Sequence, residues 1–216
     1  MKAARRGRRP ESDDQQTRER LIEVGTRLFG AHGYAHTTIR DISREARANV
    51  AAVNYHFRDK LGLYRTVLES AFDVIHELTE RSRKAGEGKS AEEKIKAYIA
   101  IHCEAILATA GPSLIQQLIH HELQRPTAGI VDRLVDRTMK PRFEYLYSII
   151  GELLGLPPED DRVRLAAITI HGIIIMFRPN PLVKRFGQRL KIDFTPEQIT
   201  DHVMRFSLAA LKAYDR

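Results

Sequence analysis

The sequence contains a single cysteine, Cys103, and no apolar run long enough to cross a membrane. One cysteine cannot form a disulfide within the chain, which agrees with a reducing compartment. A membrane-spanning helix needs about 18 consecutive apolar residues, and the basic N-terminus lacks the apolar segment of a secretion signal. We therefore expect a soluble, cytoplasmic protein that does not associate with membranes.

Motifs for catalysis and metal binding are also missing. The chain has no glycine-rich phosphate loop, nucleophile elbow or paired catalytic carboxylates. His120, His121 and Glu122 are not followed by the histidine one turn later that the zinc-binding HExxH pattern requires, and His102 and Cys103, as neighbours on a helix, cannot converge on one ion. We expect no enzymatic activity, no cofactor and no metal site, with Cys103 filling space in the core.

Length and charge bound the architecture. With 216 residues, 43% of them hydrophobic, the chain can form one large or two small domains with a substantial core. The formal net charge is +7, and residues 1–60 hold 13 Lys and Arg against 8 Asp and Glu. Those 60 residues therefore carry +5, which concentrates the positive charge at the N-terminal end.

Two short amphipathic helices follow each other closely between Gly33 and Lys60. Ile39, Ile42 and Ala46 share one face of the first helix. The second helix buries a face made of Val50, Val53 and Phe57. Thr38, in a capping box with Asp41, and Asn49 are the expected N-caps, and the turn between the helices spans only Arg47 to Asn49. Helices joined this tightly cross steeply, as in a helix-turn-helix whose second helix enters the DNA major groove.

A larger set of positions in this segment resembles the N-terminal domain of the TetR family of bacterial repressors. The matching residues are Phe29, Gly33, Tyr34, Thr37, Thr38, Ile39, Arg40, Asp41, Ile42, Ala46, Tyr55, His56, Phe57 and Lys60. One position departs from the family pattern, because Arg47 stands where the family has a glycine in the turn. A positive φ angle costs a non-glycine residue roughly 1 kcal/mol or more, so we expect a turn that is either strained or re-formed.

The helix-turn-helix supplies the predicted DNA contacts. Those to the phosphate backbone are Thr38, Arg40, Tyr55 and Lys60, of which the resemblance implies Tyr55 and Lys60. Those to the bases are Asn49, Val50, Ala51, Asn54 and His56. Because Asn54 can pair with adenine, and Val50 and Ala51 can meet thymine methyl groups, we expect a half-site rich in A·T pairs. The alternative for each residue is a solvated or helix-packing role.

The first 12 residues form a basic arm that we expect to be disordered. It carries Lys2, Arg5, Arg6, Arg8 and Arg9. A segment with this charge can follow the minor groove next to the site read by the helix and so add affinity rather than sequence preference. The alternative is a solvated tail without a specific role.

The remaining pattern predicts an all-α protein with three parts: the arm (1–12), a helix-turn-helix domain (13–60) and an effector-binding and dimerisation domain (61–216). The expected helices outside the helix-turn-helix cover residues 13–32, 60–84, 90–109, 113–124, 127–155 with a break at Pro141, 159–177 and 196–214. The segment Arg178 to Phe194 is interpreted as a basic linker, either a solvated loop or a contact with a partner subunit.

The two helices 159–177 and 196–214 have apolar faces broader than one neighbour requires. Their apolar residues include Val163, Ala166, Ala167, Ile170, Ile174, Phe177, Ile199, Val203, Phe206, Ala210 and Leu211. In the TetR family such helices pair with their symmetry mates, so we expect a homodimer, with ordinary core packing as the alternative. A dimer would set two reading helices about 34 Å apart on a palindromic double-stranded operator.

The resemblance also implies a small-molecule effector that releases the repressor by favouring a tilted fourth helix. Candidate pocket residues are His102, Cys103, Gln117, His121, Glu122, Arg142, Tyr145, His171 and Phe177. His121-Glu122-Leu123, Pro126, Lys140-Pro141-Arg142 and Phe177-Arg178 look similar to the CecR-like subgroup, which is linked to antibiotic and efflux responses and favours a hydrophobic or drug-like effector. The alternatives are a DNA-binding regulator without an effector and an α-helical enzyme.

Overall fold

The computed structural model describes residues 11–108, 114–191 and 193–214, and within these ranges every regular element is a helix. The all-α prediction is therefore confirmed. In chain order the helices are α1 (Glu11–His36), α2 (Ile39–Glu45), α3 (Val50–Phe57), α4 (Lys60–Gly86), α5 (Ala91–Leu107), α6 (Leu114–Gln124), α7 (Ile130–Leu134), a π-helical turn (Val135–Met139), α8 (Lys140–Leu154), α9 (Asp161–Met176), α10 (Pro181–Leu190) and α11 (Pro196–Ala213).

The chain divides into two compact units that differ from the predicted domains. The first unit is Met1–Ala71, as far as the structure describes it, together with Leu114–Ile130; the second is Phe72–Ser113 and Val131–Arg216, with the same restriction. Helix α4 contributes residues to both. Everything after Lys60 was predicted to form one domain, whereas α6 groups with the helix-turn-helix in the first unit.

The first three helices pack around a common core. Leu21 and Phe29 of α1, Ile42 of α2, and Val53 and Phe57 of α3 are all buried. Hydrogen bonding continues to the end of α1, but Gly33 has a φ of 74°, so the helix kinks where the sequence predicted its end. This positive φ is one that glycine adopts without a steric penalty.

Helix α6 is held within the first unit by buried polar contacts. His121 Nε2 lies 3.1 Å from the carbonyl oxygen of Gly30 in α1. The Tyr64 hydroxyl of α4 donates to Glu122 at 2.5 Å, and the backbone N–H and hydroxyl of Thr127 donate to the same carboxylate at 2.9 and 2.8 Å. Both Glu122 oxygens therefore have partners, as a buried carboxylate requires.

The second unit has its own hydrophobic core, formed mainly by α5, α8, α9 and α11. Two of its helices begin with a capping box, formed by Ser90 and Glu93 at α5 and by Thr195 and Gln198 at α11. The predicted long helix 127–155 is divided by the π-helical turn, and Pro141 lies in the first turn of α8, where its missing N–H breaks no hydrogen bond.

The prediction of a linker from Arg178 to Phe194 was wrong, because the structure contains α10 there. Leu182, Phe186 and Leu190 are spaced four residues apart, so they share one face of that helix. The periodic signal was present but short, and Gly187 reduced its helical character. All three apolar residues are exposed.

The start of α4 approaches the end of α3 so closely that only glycine fits at position 62. Its backbone N–H donates to Asp59 Oδ1 at 2.7 Å, so Asp59 caps the start of α4, and a Cβ atom would lie 1.8 Å from the Phe57 carbonyl oxygen. We expect Gly62→Ala to lower the free energy of unfolding by about 1 to 3 kcal/mol.

Urea unfolding of both variants against the parent measures this effect. Gly25→Ala is the matched control, because a Cβ atom there would meet Val67 and Leu63 at 3.4 Å or more. That change should be neutral or stabilise by up to about 1 kcal/mol through helix propensity. A Gly62→Ala protein as stable as the Gly25→Ala protein would contradict the proposed clash.

Candidate functional site

The turn between α2 and α3 keeps the geometry of a glycine turn although Arg47 occupies it. Arg47 has a φ of 51°. The Ala48 N–H donates to the Ser43 carbonyl at 2.9 Å and the Arg47 N–H to that of Arg44 at 3.2 Å. These are the two hydrogen bonds of a Schellman motif with the left-handed residue at the C′ position. Of the two expected outcomes, the turn is therefore the strained one, at a cost of roughly 1 to 2 kcal/mol.

Both predicted N-caps are present. The Thr38 hydroxyl accepts from the Asp41 N–H at 3.2 Å and lies 2.5 Å from the Asp41 carboxylate, to which it donates. The Asn49 side-chain oxygen accepts from the Ala51 N–H at 2.9 Å. The cap uses one lone pair of the Asn49 oxygen, and the amide NH₂ remains available to donate to a further group.

Helix α3 exposes one continuous face. Val53 and Phe57 are buried, whereas Val50, Ala51, Asn54 and Tyr55 are exposed, as are the predicted backbone-contact residues Thr38 and Arg40. Tyr55 is 76% exposed, which is high for an aromatic residue on a packed helix. The face offers an amide, a phenol and small apolar groups, the set that reads base edges and phosphates.

Lys60 stands at the end of this face in a defined position. Its Nζ atom lies 4.3 Å from the ring centroid of Tyr34, within cation–π range. Partial burial lowers the pKa of the Lys60 ammonium group. The aromatic ring therefore restricts the position of the charge.

The assignment of His56 as a base contact does not agree with the structure. Its side chain is only 7% exposed, and Nε2 lies 3.4 Å from Asp14 Oδ1 of α1. His56 follows Val53 by three residues, which places it at the edge of the buried face. It therefore contributes to the packing of α3 on α1.

Two arginines outside the predicted set are exposed near this face. Arg47 lies in the turn and Arg58 follows α3 with a φ of 70°. Arg44 is instead paired with Asp41 at 2.8 Å, and Arg27 of α1 is paired with Glu45 of α2. Arg5 and Arg6 of the predicted arm lie outside the described residues.

The predicted effector residues are divided between the two units. Gln117, His121 and Glu122 belong to the first unit. His121 and Glu122 hold α6 in place through the contacts described above, so their assignment to an effector pocket is corrected to a structural role. The other six, all in the second unit, are His102, Cys103, Arg142, Tyr145, His171 and Phe177.

Within the second unit, four of those positions lie in or beside a buried polar cluster that includes Tyr98. The Tyr98 hydroxyl is 2.9 Å from His171 Nδ1, and His102 Nδ1 is 2.9 Å from the Tyr98 carbonyl oxygen. Arg142 reaches His171 Nε2 at 3.4 Å and donates to the Ile75 carbonyl at 3.2 Å. Tyr145 donates to the Ser82 carbonyl at 3.1 Å, and its ring centroid is 6.5 Å from that of Tyr98.

Burial controls the protonation of this cluster. Burial first, and the nearby Arg142 charge second, lower the pKa of His102 and of His171 to about 3. Both imidazoles are therefore neutral at pH 7. Burial also raises the pKa of Tyr98 and of the Cys103 thiol, which packs in the hydrophobic core.

A cleft of about 500 Å³ opens beside α8 in the second unit. Its lining residues are Val135, Met139, Lys140, Phe143, Glu144, Tyr147, Pro158, Glu159 and Arg164. None of the predicted effector residues borders it. Phe143 connects the two features, because its ring centroid lies 5.4 Å from that of His171.

The described ranges contain neither a metal-binding cluster nor a membrane span. No group of three His, Cys, Asp or Glu side chains comes together there in a way that could hold an ion. Each helix in those ranges is too short or too polar to span a bilayer.

Two family models match the chain. Residues 21–67 match the model described as bacterial regulatory proteins, tetR family, and residues 91–211 match the C-terminal domain of the HTH-type transcriptional dual regulator CecR. The second match covers more than half of the chain, and together the two span α1 to α11. The helix-turn-helix described above lies within the first.

Curated relatives include transcriptional regulators of similar length. The chain is 28% identical to ArpR of Pseudomonas putida over 82% of this chain and 99% of ArpR. It is 27% identical to CecR of Shigella flexneri over 76% of each chain. The match to TtgR of Pseudomonas putida, also at 28% identity, covers 54% of this chain and 55% of TtgR.

Solved structures share the fold at low sequence identity. The TetR-family regulator SCO4454 from Streptomyces coelicolor aligns with a TM-score of 0.67 and 17% identity over 94% of this chain and 97% of its own. AibR, in a complex with isovaleryl coenzyme A and operator DNA, aligns with a TM-score of 0.64 and 19% identity over 87% and 96%.

The neutral histidines make the stability of the second unit depend on pH. The unfolded chain takes up a proton at each histidine below about pH 6.5, whereas the folded pKa of His102 and of His171 is about 3. Stability present above pH 6.5 is therefore lost as the pH falls toward 3. Between pH 7 and 5 each histidine should account for a loss of about 2 kcal/mol.

Urea unfolding at several pH values measures this loss. His102→Asn retains an N–H donor for the Tyr98 carbonyl but does not titrate, so it should remove roughly half of the two-histidine contribution. Between pH 7.5 and 8.5 the free energy of unfolding of the parent and of the His102→Asn protein should change with pH at the same slope. Equal slopes for the two proteins between pH 7 and 5 would contradict the neutral buried state of His102.

Proposed function

The chain belongs to the TetR family of bacterial DNA-binding transcriptional regulators, and from that premise we propose that it is a homodimeric repressor released from a palindromic operator by a small-molecule effector. In this proposal α3 reads the DNA in the cytoplasm, α9 and α11 form the dimer, and the interior of the second unit binds the effector. The alternative is a regulator of the same family without a small effector.

The exposed face of α3 carries the DNA-binding part of the proposal. A helix of eight residues that buries Val53 and Phe57 has no structural need for Tyr55 and Asn54 on its outer face. Tyr55 and Lys60 have the groups and positions for phosphate contacts, and Asn54, Val50 and Ala51 for base contacts. His56 is omitted because its ring packs against α1.

The dimer proposal relies on apolar residues that the second unit leaves uncovered. The residues first considered, such as Val163, Ile174 and Val203, are buried in the core of this unit. Phe206, which was predicted for this face, is exposed, as are Leu165, Ile168 and Met176 of α9. An apolar surface of this kind is typical of a subunit interface.

The effector proposal has support from the fold and from the buried polar cluster. AibR is found in one complex with both isovaleryl coenzyme A and operator DNA, so a protein of this fold binds both kinds of partner. A ligand that binds better to one conformation of the second unit would shift the population toward that conformation. The factor by which the ligand changes DNA affinity then equals the factor by which DNA changes ligand affinity.

DNA selection tests the core of this proposal. Duplexes enriched from a random library by the full chain should contain two related half-sites with centres one helical turn, about 34 Å, apart. Lys60→Ala should weaken binding to all duplexes alike and, because the dimer loses one phosphate contact in each subunit, reduce the slope of log K against log salt by about 1.8. Lys89→Ala, which removes an equally charged exposed residue from the second unit, is the control and should leave both unchanged.

Asn54→Ala should instead change the selected sequence at one base pair of each half-site. Loss of a bidentate contact reduces discrimination at that position by about 1 to 3 kcal/mol. The comparison is made by repeating the selection with the variant. An unchanged selected sequence would remove Asn54 from the base contacts without affecting the assignment of Lys60.

The dimer is tested by sedimentation at micromolar concentration. Ile168→Glu should shift the protein from dimer to monomer, because a carboxylate would be buried without a partner at the interface. Leu123→Glu is the matched control, since Leu123 is also an exposed apolar residue but belongs to α6. A parent protein that sediments as a monomer would refute the dimer assignment.

A further inference from the structure

Two arginines in the second unit, Arg142 and the half-buried Arg178, each have a buried Nε atom and no acidic partner among the residues that the structure describes. The Nε atoms of both are buried and lack a hydrogen-bond partner. Within the ranges that the structure describes, no Asp or Glu lies within ion-pair distance of either. The charge of Arg178 also acts on Arg142, whose pKa is lowered first by burial and then by this like charge. Buried charges in proteins are normally paired, so this pair lacks an anion.

The neighbouring side chains also present donors. Arginine cannot accept a hydrogen bond, so the contact of Arg142 with His171 Nε2 makes that nitrogen an acceptor. The neutral His171 then carries its proton on Nδ1 and donates it to the Tyr98 hydroxyl oxygen. The Tyr98 hydroxyl proton is left available to donate to another group. Arg142 and Tyr98 therefore offer donors within the cluster, and the positive charge of Arg178 acts on both Arg142 and His171.

His102 adds an acceptor to the same cluster. Its Nδ1 donates to the Tyr98 carbonyl, so Nε2 of the neutral ring carries a lone pair. This nitrogen has no partner, although the residue is only 2% exposed. An unpartnered polar atom this deeply buried costs free energy in the unliganded protein. A ligand N–H or hydroxyl group would satisfy it.

We propose that this cluster binds a small organic anion, with its carboxylate or similar group between Arg142 and Arg178 and its apolar body extending toward the cleft beside α8. The inference rests on the proposed function, because it names the chemical class of the effector. The donors of Arg142, Arg178 and Tyr98 match the oxygens of the anion, and His102 Nε2 accepts from an N–H or hydroxyl on its body.

Phe143 marks the route between the cluster and the cleft. Its ring packs against His171 on one side and lines the cleft together with Met139 and Tyr147. A rotation of Phe143 about its side-chain torsions would open the cluster to an apolar ring or chain. The cleft also carries two cations of its own, Lys140 and Arg164, which are the competing site for an anionic group.

Isothermal titration of the full chain with 2-naphthoate and 2-naphthamide tests the proposal. The two probes share the aromatic body and differ in the charge of the head group. We expect the carboxylate to bind at least about tenfold more tightly than the amide. Arg142→Gln and Arg178→Gln should each reduce carboxylate affinity to that of the amide, while Arg142→Lys, which keeps the charge, should retain part of the preference.

Lys140→Gln and Arg164→Gln are the matched controls and should leave the preference intact. Three results would each overturn the proposal. They are equal affinity for the two probes, no carboxylate binding at millimolar concentration, and loss of the carboxylate preference in the Lys140→Gln or Arg164→Gln protein rather than in the Arg142 and Arg178 variants. Circular dichroism confirms that each variant is folded, and the two arginine positions provide independent tests if one substitution prevents folding.

DNA binding by the same preparations separates this inference from the proposed function. Duplexes selected by the parent protein should be retarded by the unliganded Arg142→Gln and Arg178→Gln proteins, because neither residue belongs to the DNA-contacting helices. A protein that retards DNA but shows no carboxylate preference refutes only the anion site. A protein that prefers the carboxylate but retards no duplex refutes the regulator.

Discussion

The first unit depends on how α3 divides its few residues between packing and exposure. An isolated helix of eight residues is not stable in water, so α3 exists only because Val53 and Phe57 are buried. Neighbouring residues also hold α3 in place. Asp14 contacts His56, and Arg18 lies over the Phe57 ring at 5.6 Å. Gly62 permits the close approach of α4 to the Phe57 carbonyl. The outer face of α3 therefore takes no part in this packing, and a recognition helix needs such a face to contact DNA.

The second unit differs from the first because it holds titratable and charged groups in its interior. Its core is a conventional apolar cluster, yet it contains two imidazoles held neutral and guanidinium groups that no acidic residue within the described ranges neutralises. A protein optimised only for stability would replace such groups with apolar residues. Their retention in the interior is a cost to folding that a bound anion would relieve, in the way that a ligand stabilises the state it binds.

Local signals in the sequence predicted most of the fold. The caps at Thr38, Asn49 and Ser90 and the glycine at position 33 act through neighbouring residues, so they are visible in the sequence. The tertiary roles of His56 and Glu122 were not visible, because their partners Asp14 and Tyr64 lie 42 and 58 residues away. Periodicity shows which side of a helix is buried but not which group will meet it. Arg142 and His171 were predicted as pocket residues, but Arg178 was not, because its proximity to Arg142 arises only in the folded structure.

Helix α4 contains residues that contact the buried cluster and residues that belong to the first unit. Arg142 donates to the Ile75 carbonyl and Tyr145 to the Ser82 carbonyl, both on α4. The same helix carries Tyr64, which holds Glu122, and begins at Lys60 next to α3. In the proposal, an anion bound at the unpartnered Nε of Arg142 would place a negative charge beside the contact between the Arg142 guanidinium and the Ile75 carbonyl, and so would act on what holds the middle of α4.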